Sequence, residues 1–249
     1  MKSKYILALC SAVLLWVAWP PIPYSSPILW IAFVPLLIAI EQTIRSGSSN
    51  KGRKIFWLAF LTGFLWNTAS IYWVYNAMSA YLPSYVALPI SLIPFGLAPL
   101  LMATVFRLYY QLRKKTSIGY SFIGLVSLWM GYEFLHQWWD LAFPWMTLGN
   151  GFASFHQLVQ WYSITGVYGG TLWIWVCNIL FFLLIWQKLE KIEAISNKKL
   201  ALSLAALIAI PSGLSDILGA DNVIGQAERM GSYLNEPRKR FHTGASAVV

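Results

Sequence analysis

Apolar residues occur in long blocks separated by short polar connections. The blocks fall at roughly 5–19, 27–41, 55–79, 84–110, 120–139 and 166–187, with a weaker one near 200–214. About 20 apolar residues are needed to cross the hydrocarbon of a bilayer as a helix, so each block predicts a membrane span, the first two and the last being short for the task. The expected fold is all-α: a polytopic transmembrane helix bundle of six to seven spans over residues 1–214. After Leu214 the chain turns polar and ends in a basic Arg238-Lys239-Arg240 run. Residues 215–249 are therefore expected to form a short polar C-terminal tail, too small for a core of its own, disordered or with a short amphipathic helix near 221–234. In the fourth block Pro89, Pro94 and Pro99 recur at five-residue intervals. Each removes a backbone donor and crowds the preceding turn, so this helix is expected to bend or break.

Basic residues mark the connections unequally. Lys2 and Lys4 precede the first block; Arg45, Lys51, Arg53 and Lys54 follow the second; Arg107, Arg113, Lys114 and Lys115 close the fourth; Lys188, Lys191, Lys198 and Lys199 follow the sixth. Connections 20–26, 80–83 and 140–165 contain none. Lysine and arginine accumulate on the cytoplasmic side, which predicts a cytoplasmic N-terminus and puts the Trp-rich connections outside. Lys2 and Lys4 before a short apolar run also suit a signal peptide, but no small-x-small cleavage site follows.

Composition supports this reading. The chain of 249 residues is 58% hydrophobic and only 11% charged, with a mean hydropathy of +0.58. Soluble chains carry roughly a quarter charged residues, so this one could not cover a water-facing surface. The net charge of +9 does not indicate nucleic acid, because its cations are parcelled between apolar blocks and not gathered on one face. Cys10 and Cys177 both lie inside apolar runs, which argues against a disulfide framework. His156 has no second ligand nearby, and neither a metal nor a cofactor is expected.

The candidate chemistry concentrates in Glu133–Asn150, EFLHQWWDLAFPWMTLGN. An acid inside a membrane span costs about 2.5 to 3.5 kcal/mol and is retained for a partner or a function. Glu133, His136 and Asp140 lie at helical spacing and are expected to share a face. Two readings stand: a structural carboxylate that fixes helix rotation through His136 or a neighbouring Tyr or Trp, or a polar anchor for a headgroup or an amine. In the third block Trp66, Trp73 and Asn76 fall on one helical face, with Tyr75 beside them; this is either an aromatic belt or the wall of a lipid groove. Phe143-Pro144-Trp145 followed by Gly149-Asn150-Gly151 reads as a loop stiff at one end and free at the other, with Trp145 at its tip. The expected lipid-contacting set is thus Trp73, Tyr75, Asn76, Glu133, His136, Phe143, Pro144, Trp145 and Gly149, with no catalytic residue assigned.

Taken in order, several motifs carry a resemblance. They are Trp-Pro-Pro after the first block, Pro-Leu-Leu in the second, Gly-Phe with Trp-Val-Tyr in the third, Leu-Trp-x-x-x-Glu-Phe-Leu in the fifth, Phe-Pro-Trp-x-x-x-Gly in the outer loop, and Gly166-Val-Tyr-Gly-Gly170 before the sixth. Over about residues 10–212 the chain resembles apolipoprotein N-acyltransferase. The resemblance implies a bacterial inner-membrane protein whose helices present two lipids, a phospholipid acyl donor and a lipoprotein acceptor, to a periplasmic nitrilase-like domain. In the family that domain supplies a Glu, a Lys and a nucleophilic Cys, and the acyl chain passes through a thioester to the N-terminal diacylglyceryl-cysteine of the lipoprotein. Residues 215–249 hold no cysteine and one lysine, Lys239, so no position here inherits those roles. Cys10 and Cys177 are poor substitutes, since apolar surroundings favour the unreactive thiol. The chain is therefore expected to be incomplete for catalysis alone, as from a truncated or frame-shifted reading. The alternative is a non-catalytic lipid-binding or complex-forming membrane module. His136 stands where the family usually has Arg, exchanging a permanent cation for a titratable group.

Overall fold

The computed structural model describes residues 2–191 and 195–235, with side chains for 3–191 and 195–219. All regular elements among them are helical: α1 (Lys2–Val17), a 3-10 turn (Ser26–Trp30), α2 (Val34–Arg45), α3 (Lys51–Ile71), α4 (Trp73–Ser79), α5 (Ser84–Arg113), α6 (Ile118–Leu135), 3-10 segments at Pro144–Met146 and Leu148–Val159, α7 (Tyr162–Glu190) and α8 (Asn197–Asn235). Five stretches are long and apolar enough to span a bilayer, namely Ser26–Arg45, α5, α6, α7 and Asn197–Gly219. The pair α3 and α4, bent by 53° at its break, makes a sixth, and α1 is apolar but shorter. The chain is an all-α polytopic membrane bundle.

Four expectations change in detail. The third block is not one helix: it breaks at Tyr72, so Trp66 is buried in the core while Trp73 is exposed, and the two do not share a face. The fourth block does not break at its prolines. α5 runs unbroken through Pro89, Pro94 and Pro99, and Pro99 is a packing residue, with Gly63 of α3 set so close that an added Cβ would sit 3.3 Å from its ring. The fifth block ends early, at Leu135. Backbone bonds there tighten from four-residue to three-residue spacing at Gln137 and Trp138, which closes the helix and leaves Asp140 in the following loop, off the Glu133 face. At the other end, α8 passes the boundary expected at 214 and continues to Asn235, and Ser215 is already buried with its Oγ accepting from Gln160 N at 3.0 Å. The side chains of the segment expected to be amphipathic, 221–234, and the Arg238-Lys239-Arg240 run lie outside the described residues.

The centre of the bundle is aromatic. Phe33, just before α2, stacks on Trp175 of α7 at 4.6 Å and meets Trp129 of α6, Trp66 of α3 and Phe106 of α5 at 5.3, 6.3 and 6.4 Å. One ring from each of five elements thus converges on one point. Lipid is as apolar as the rings, so burial from water cannot hold helices together here; close packing and hydrogen bonds must do so.

The hydrogen bonds gather where backbone is irregular. Between the 3-10 turn and α2 the chain passes through the core on three-residue turn bonds that leave Phe33 N unpaired, and Asn178 of α7 covers the gap. Its Oδ1 accepts from Phe33 N at 2.8 Å, and its Nδ2 donates to Leu29 O at 2.7 Å and to Ile174 O at 2.9 Å. Ser11 Oγ of α1 accepts from Leu36 N at 2.9 Å. At the basic end of the bundle, Arg113 donates to the buried Glu41 at 3.0 Å, and Arg45 pairs with Glu190 at 2.8 Å while lying over the Trp186 ring. Replacing Asn178 by Leu keeps the branched shape of the side chain, strands Phe33 N, and leaves Leu29 O only its bond from Ala32 N. It should cost about 2 kcal/mol, read as a lower midpoint of thermal unfolding in detergent. An unchanged midpoint would show that Asn178 does not fasten α2 to α7.

Candidate functional site

Opposite the basic end lies the loop between α6 and α7, and it is organised from beneath by Glu133. This residue is 2% exposed in the last turn of α6. Its Oε1 accepts from Trp129 Nε1 and from Leu148 N, both at 2.8 Å, and its Oε2 accepts from Thr171 Oγ1 at 2.8 Å. One side chain therefore joins α6, the loop and α7. Three hydrogen bonds that engage both oxygens, at about 1 kcal/mol net each, are of the size needed to offset the insertion cost of the acid. Thr171 extends the chain by accepting from Gly149 N at 3.1 Å, and Tyr162 donates to Gly149 O at 3.2 Å.

The glycines make this seat possible. A Cβ on Gly149 would overlap the Val167 carbonyl oxygen, and one on Gly170 would overlap the Tyr162 hydroxyl. Gly166 has φ +67°, a left-handed conformation that interrupts α7 and brings Val167 against the loop. Two motifs quoted from the sequence, the Gly after Phe-Pro-Trp and the Gly166–Gly170 run, thus meet each other.

Pinned at Leu148 and Gly149, the loop projects its tip. Pro144 opens a 3-10 turn that is closed by Thr147 N and by Asn150 Nδ2, both donating to Pro144 O at 3.1 Å. Trp145 is left 61% exposed and meets Trp73, 44% exposed, edge to face at 6.1 Å. Near this pair, α4, α5 and the loop enclose a cavity of about 310 Å³, lined by Val74, Met78, Pro94, Leu97, His136 and Phe143 among others. A second, larger groove of about 700 Å³ runs between α5 and α6, lined by residues including Leu101, Val105, Leu128, Gly131 and Tyr132. His136 borders both.

His136 is 6% exposed, and its Nδ1 accepts from Trp139 Nε1 at 2.8 Å. The ring hydrogen therefore sits on Nε2, which has no partner among the described residues. Of the other expected site residues, Tyr75 is half-buried against the core, Asn76 is exposed outside both cavities, and Pro144 is exposed at the turn. Glu133 and Gly149 sit below the loop and away from either cavity lining. Sequence reasoning missed Thr171 and the aliphatic wall of α5, since nothing distinguishes one Thr or Leu of a membrane helix from the next. Cys10 is exposed on α1 and Cys177 is buried in α7.

A family model for the apolipoprotein N-acyltransferase N-terminal domain matches residues 11–180. The chain belongs to that family. Among its relatives are an apolipoprotein N-acyltransferase of Chlorobaculum tepidum, 27% identical over 190 residues, and one of Geobacter metallireducens, 33% identical over 187. The alignments cover 76% and 74% of this chain but 33% and 34% of those proteins, so the chain spans about a third of its relatives' length. A third, from Rickettsia typhi, is 31% identical over 113 residues, covering 44% of this chain and 22% of its own. The matched region of this acyltransferase family includes the Glu133 seat, the Trp73–Trp145 pair and both cavities.

Two predictions follow from this geometry. Glu133→Leu strands three donors at once, and amide exchange at Leu148 and Gly149 should rise about tenfold or more by hydrogen-exchange mass spectrometry, while the rest of α6 stays protected. Exchange at wild-type rates would mean the loop is held by something else. For His136, burial holds the imidazole pKa below its ordinary value. Because the folded value lies below the unfolded one, the associated stability is full above the unfolded pKa of about 6.5 and is lost as pH falls through the lowered, folded value. Between pH 7 and pH 5 the wild type should therefore lose more thermal stability than His136→Phe; parallel pH slopes would contradict this.

Proposed function

We propose that these 249 residues seat acyl-bearing lipids for an apolipoprotein N-acyltransferase of the bacterial inner membrane, with the N-terminus and basic connections on the cytoplasmic side. The donor would be a phospholipid and the acceptor the N-terminal diacylglyceryl-cysteine of a lipoprotein. The observation that carries this reading is the apolar cavity near the Trp73–Trp145 pair, at the non-basic end of the bundle, beneath a loop whose base is fixed by Glu133. Exposed tryptophans at a span end suit the layer where headgroups meet hydrocarbon, and apolar cavities beside them suit acyl chains.

In this reading Trp73, Phe143, Trp145 and His136 touch lipid, and Pro144 shapes the turn that presents Trp145. Glu133 and Gly149 are positioning residues. Tyr75 and Asn76 would act only at the rim. Acyl transfer also needs a nucleophile; Cys177 is buried in α7, Cys10 is exposed on α1, and neither lines either cavity. The reacting thiol would therefore come from outside these 249 residues, whether in the same polypeptide or in another.

In a relative active in acyl transfer, replacing the residue matching Trp145 by Ala should lower acyl transfer at least severalfold while leaving membrane insertion unchanged. Full activity would remove Trp145 from this site. For the chain itself, complementation of a strain depleted of lipoprotein N-acylation distinguishes the readings. Rescue only when a nitrilase-like domain is supplied alongside supports the lipid-seating role, and failure under both conditions favours a non-catalytic lipid-binding module.

A further inference from the structure

We propose that the basic end of the bundle carries a binding site for the headgroup of an anionic phospholipid, in the cavity between the start of α3 and the end of α5. This cavity, of about 430 Å³, is lined by Ser48, Asn50, Lys51, Arg53, Arg107 and Gln111, with the Tyr110 ring as its floor against Gly52. It differs from the two cavities near the loop in being polar and in bringing three cations from two helices to one hollow.

The charge balance is what points to a ligand. Among the described residues this end of the bundle holds two acids, and each is already committed: Glu41 to Arg113 and Glu190 to Arg45. Arg53 and Arg107 have no hydrogen-bonded or ionic partner among those residues. Lys51 Nζ donates to Ile44 O at 2.8 Å, which fixes the ammonium at the rim without neutralising it. Asn50, left-handed at φ 56°, turns the chain into α3, whose first N–H groups have no side-chain cap. Those donors add to the same positive hollow. A group with several acceptor oxygens and a net negative charge fits it, which is the chemistry of a phosphodiester.

A lipid is favoured over a free anion by what adjoins the cavity. One turn from Arg53 on α3, Trp57 is 51% exposed and begins a ladder of rings with Phe56, Phe60 and Phe64. Next to Arg107 on α5, Leu108 is exposed as well. The polar hollow therefore opens onto apolar helix surface where acyl chains can lie. A zwitterionic headgroup would bring its own cation to a site with three already, so an anionic one is preferred; each basic residue near the surface is worth about 1 kcal/mol toward such a lipid, or roughly fivefold.

The test uses the 249-residue protein in nanodiscs holding equal phosphatidylglycerol and phosphatidylethanolamine, with retained lipid measured by native mass spectrometry. Wild type should retain phosphatidylglycerol in preference. Arg53→Gln should reduce that preference roughly fivefold, and Arg53→Gln with Arg107→Gln should reduce it further. Both side chains are exposed and unbonded, and the single variant stands alone if the double one does not fold. Lys198→Gln with Lys199→Gln removes equal charge from the start of α8 and should leave the preference intact. The proposal is overturned if that control pair has the same effect, which would indicate a diffuse field. Equal retention of both lipids also overturns it, as does displacement of phosphatidylglycerol by millimolar inorganic phosphate, which would mark a free-anion site.

Discussion

A bilayer interior offers no water to a backbone that stops being helical, and this protein stops being helical inside its bundle more than once. Each interruption must find its partners within the chain, because an unsatisfied peptide group in hydrocarbon costs several kcal/mol. Asn178 serves the entry to α2, and Ser11 serves the first turn beyond it. Glu133, with Thr171, serves the return of the outer loop. These few polar side chains sit at the breaks, and the aromatic cluster around Phe33 fills the space between. The arrangement explains why so apolar a chain retains an acid in its fifth span: the acid gives a loop backbone its acceptor.

This alters how the Glu133 block relates to lipid. A carboxyl group with both oxygens engaged by protein donors has little left to offer a headgroup. Its influence on any ligand passes through the loop it holds, and thus through Trp145 and Phe143. His136 is the opposite case. It borders both apolar cavities, carries its hydrogen on an unpartnered Nε2, and donates to nothing among the described residues. His136 is thus a buried ring with a free N–H donor facing apolar space. Contact at that point would suit an ester or phosphate oxygen by hydrogen bonding alone, without a permanent charge.

Much of the architecture was legible in the apolar blocks, because membrane helices are set by a length of hydrocarbon and not by detailed packing. The all-α bundle follows from that single physical scale, and the separation of basic from aromatic connections was read from where Lys and Arg fall. The breaks were not legible. Tyr72 has no proline or glycine beside it, yet the helix stops there, whereas the three prolines of α5 do not stop it, since packing against Gly63 accommodates Pro99. Hydropathy likewise could not tell that α6 would tighten and end at Leu135, because Trp138, Trp139 and Leu141 are as apolar as the helix before them. At the site, aromatic residues and the lone acid could be read from composition. Thr171 could not, as its role comes from a separation of 38 residues along the chain.

The hydrogen bonds also limit how the outer loop can move. Leu148 and Gly149 are tied to Glu133 and Thr171, and Gly149 is seated where no larger residue fits. The loop therefore cannot lift from its C-terminal side without breaking the seat. Residues 138–143 have a single backbone bond of their own, Ala142 N to Trp139 O at 3.0 Å, and Trp138 and Leu141 are exposed. Opening the cavity between α4 and α5 is thus easiest at this segment and at the Trp73–Trp145 contact, whose edge-to-face geometry is worth only about 1 kcal/mol. In the proposed lipid-seating role, a fixed base with a weakly held rim would let a long apolar chain enter from the side while the floor of the cavity stays unchanged.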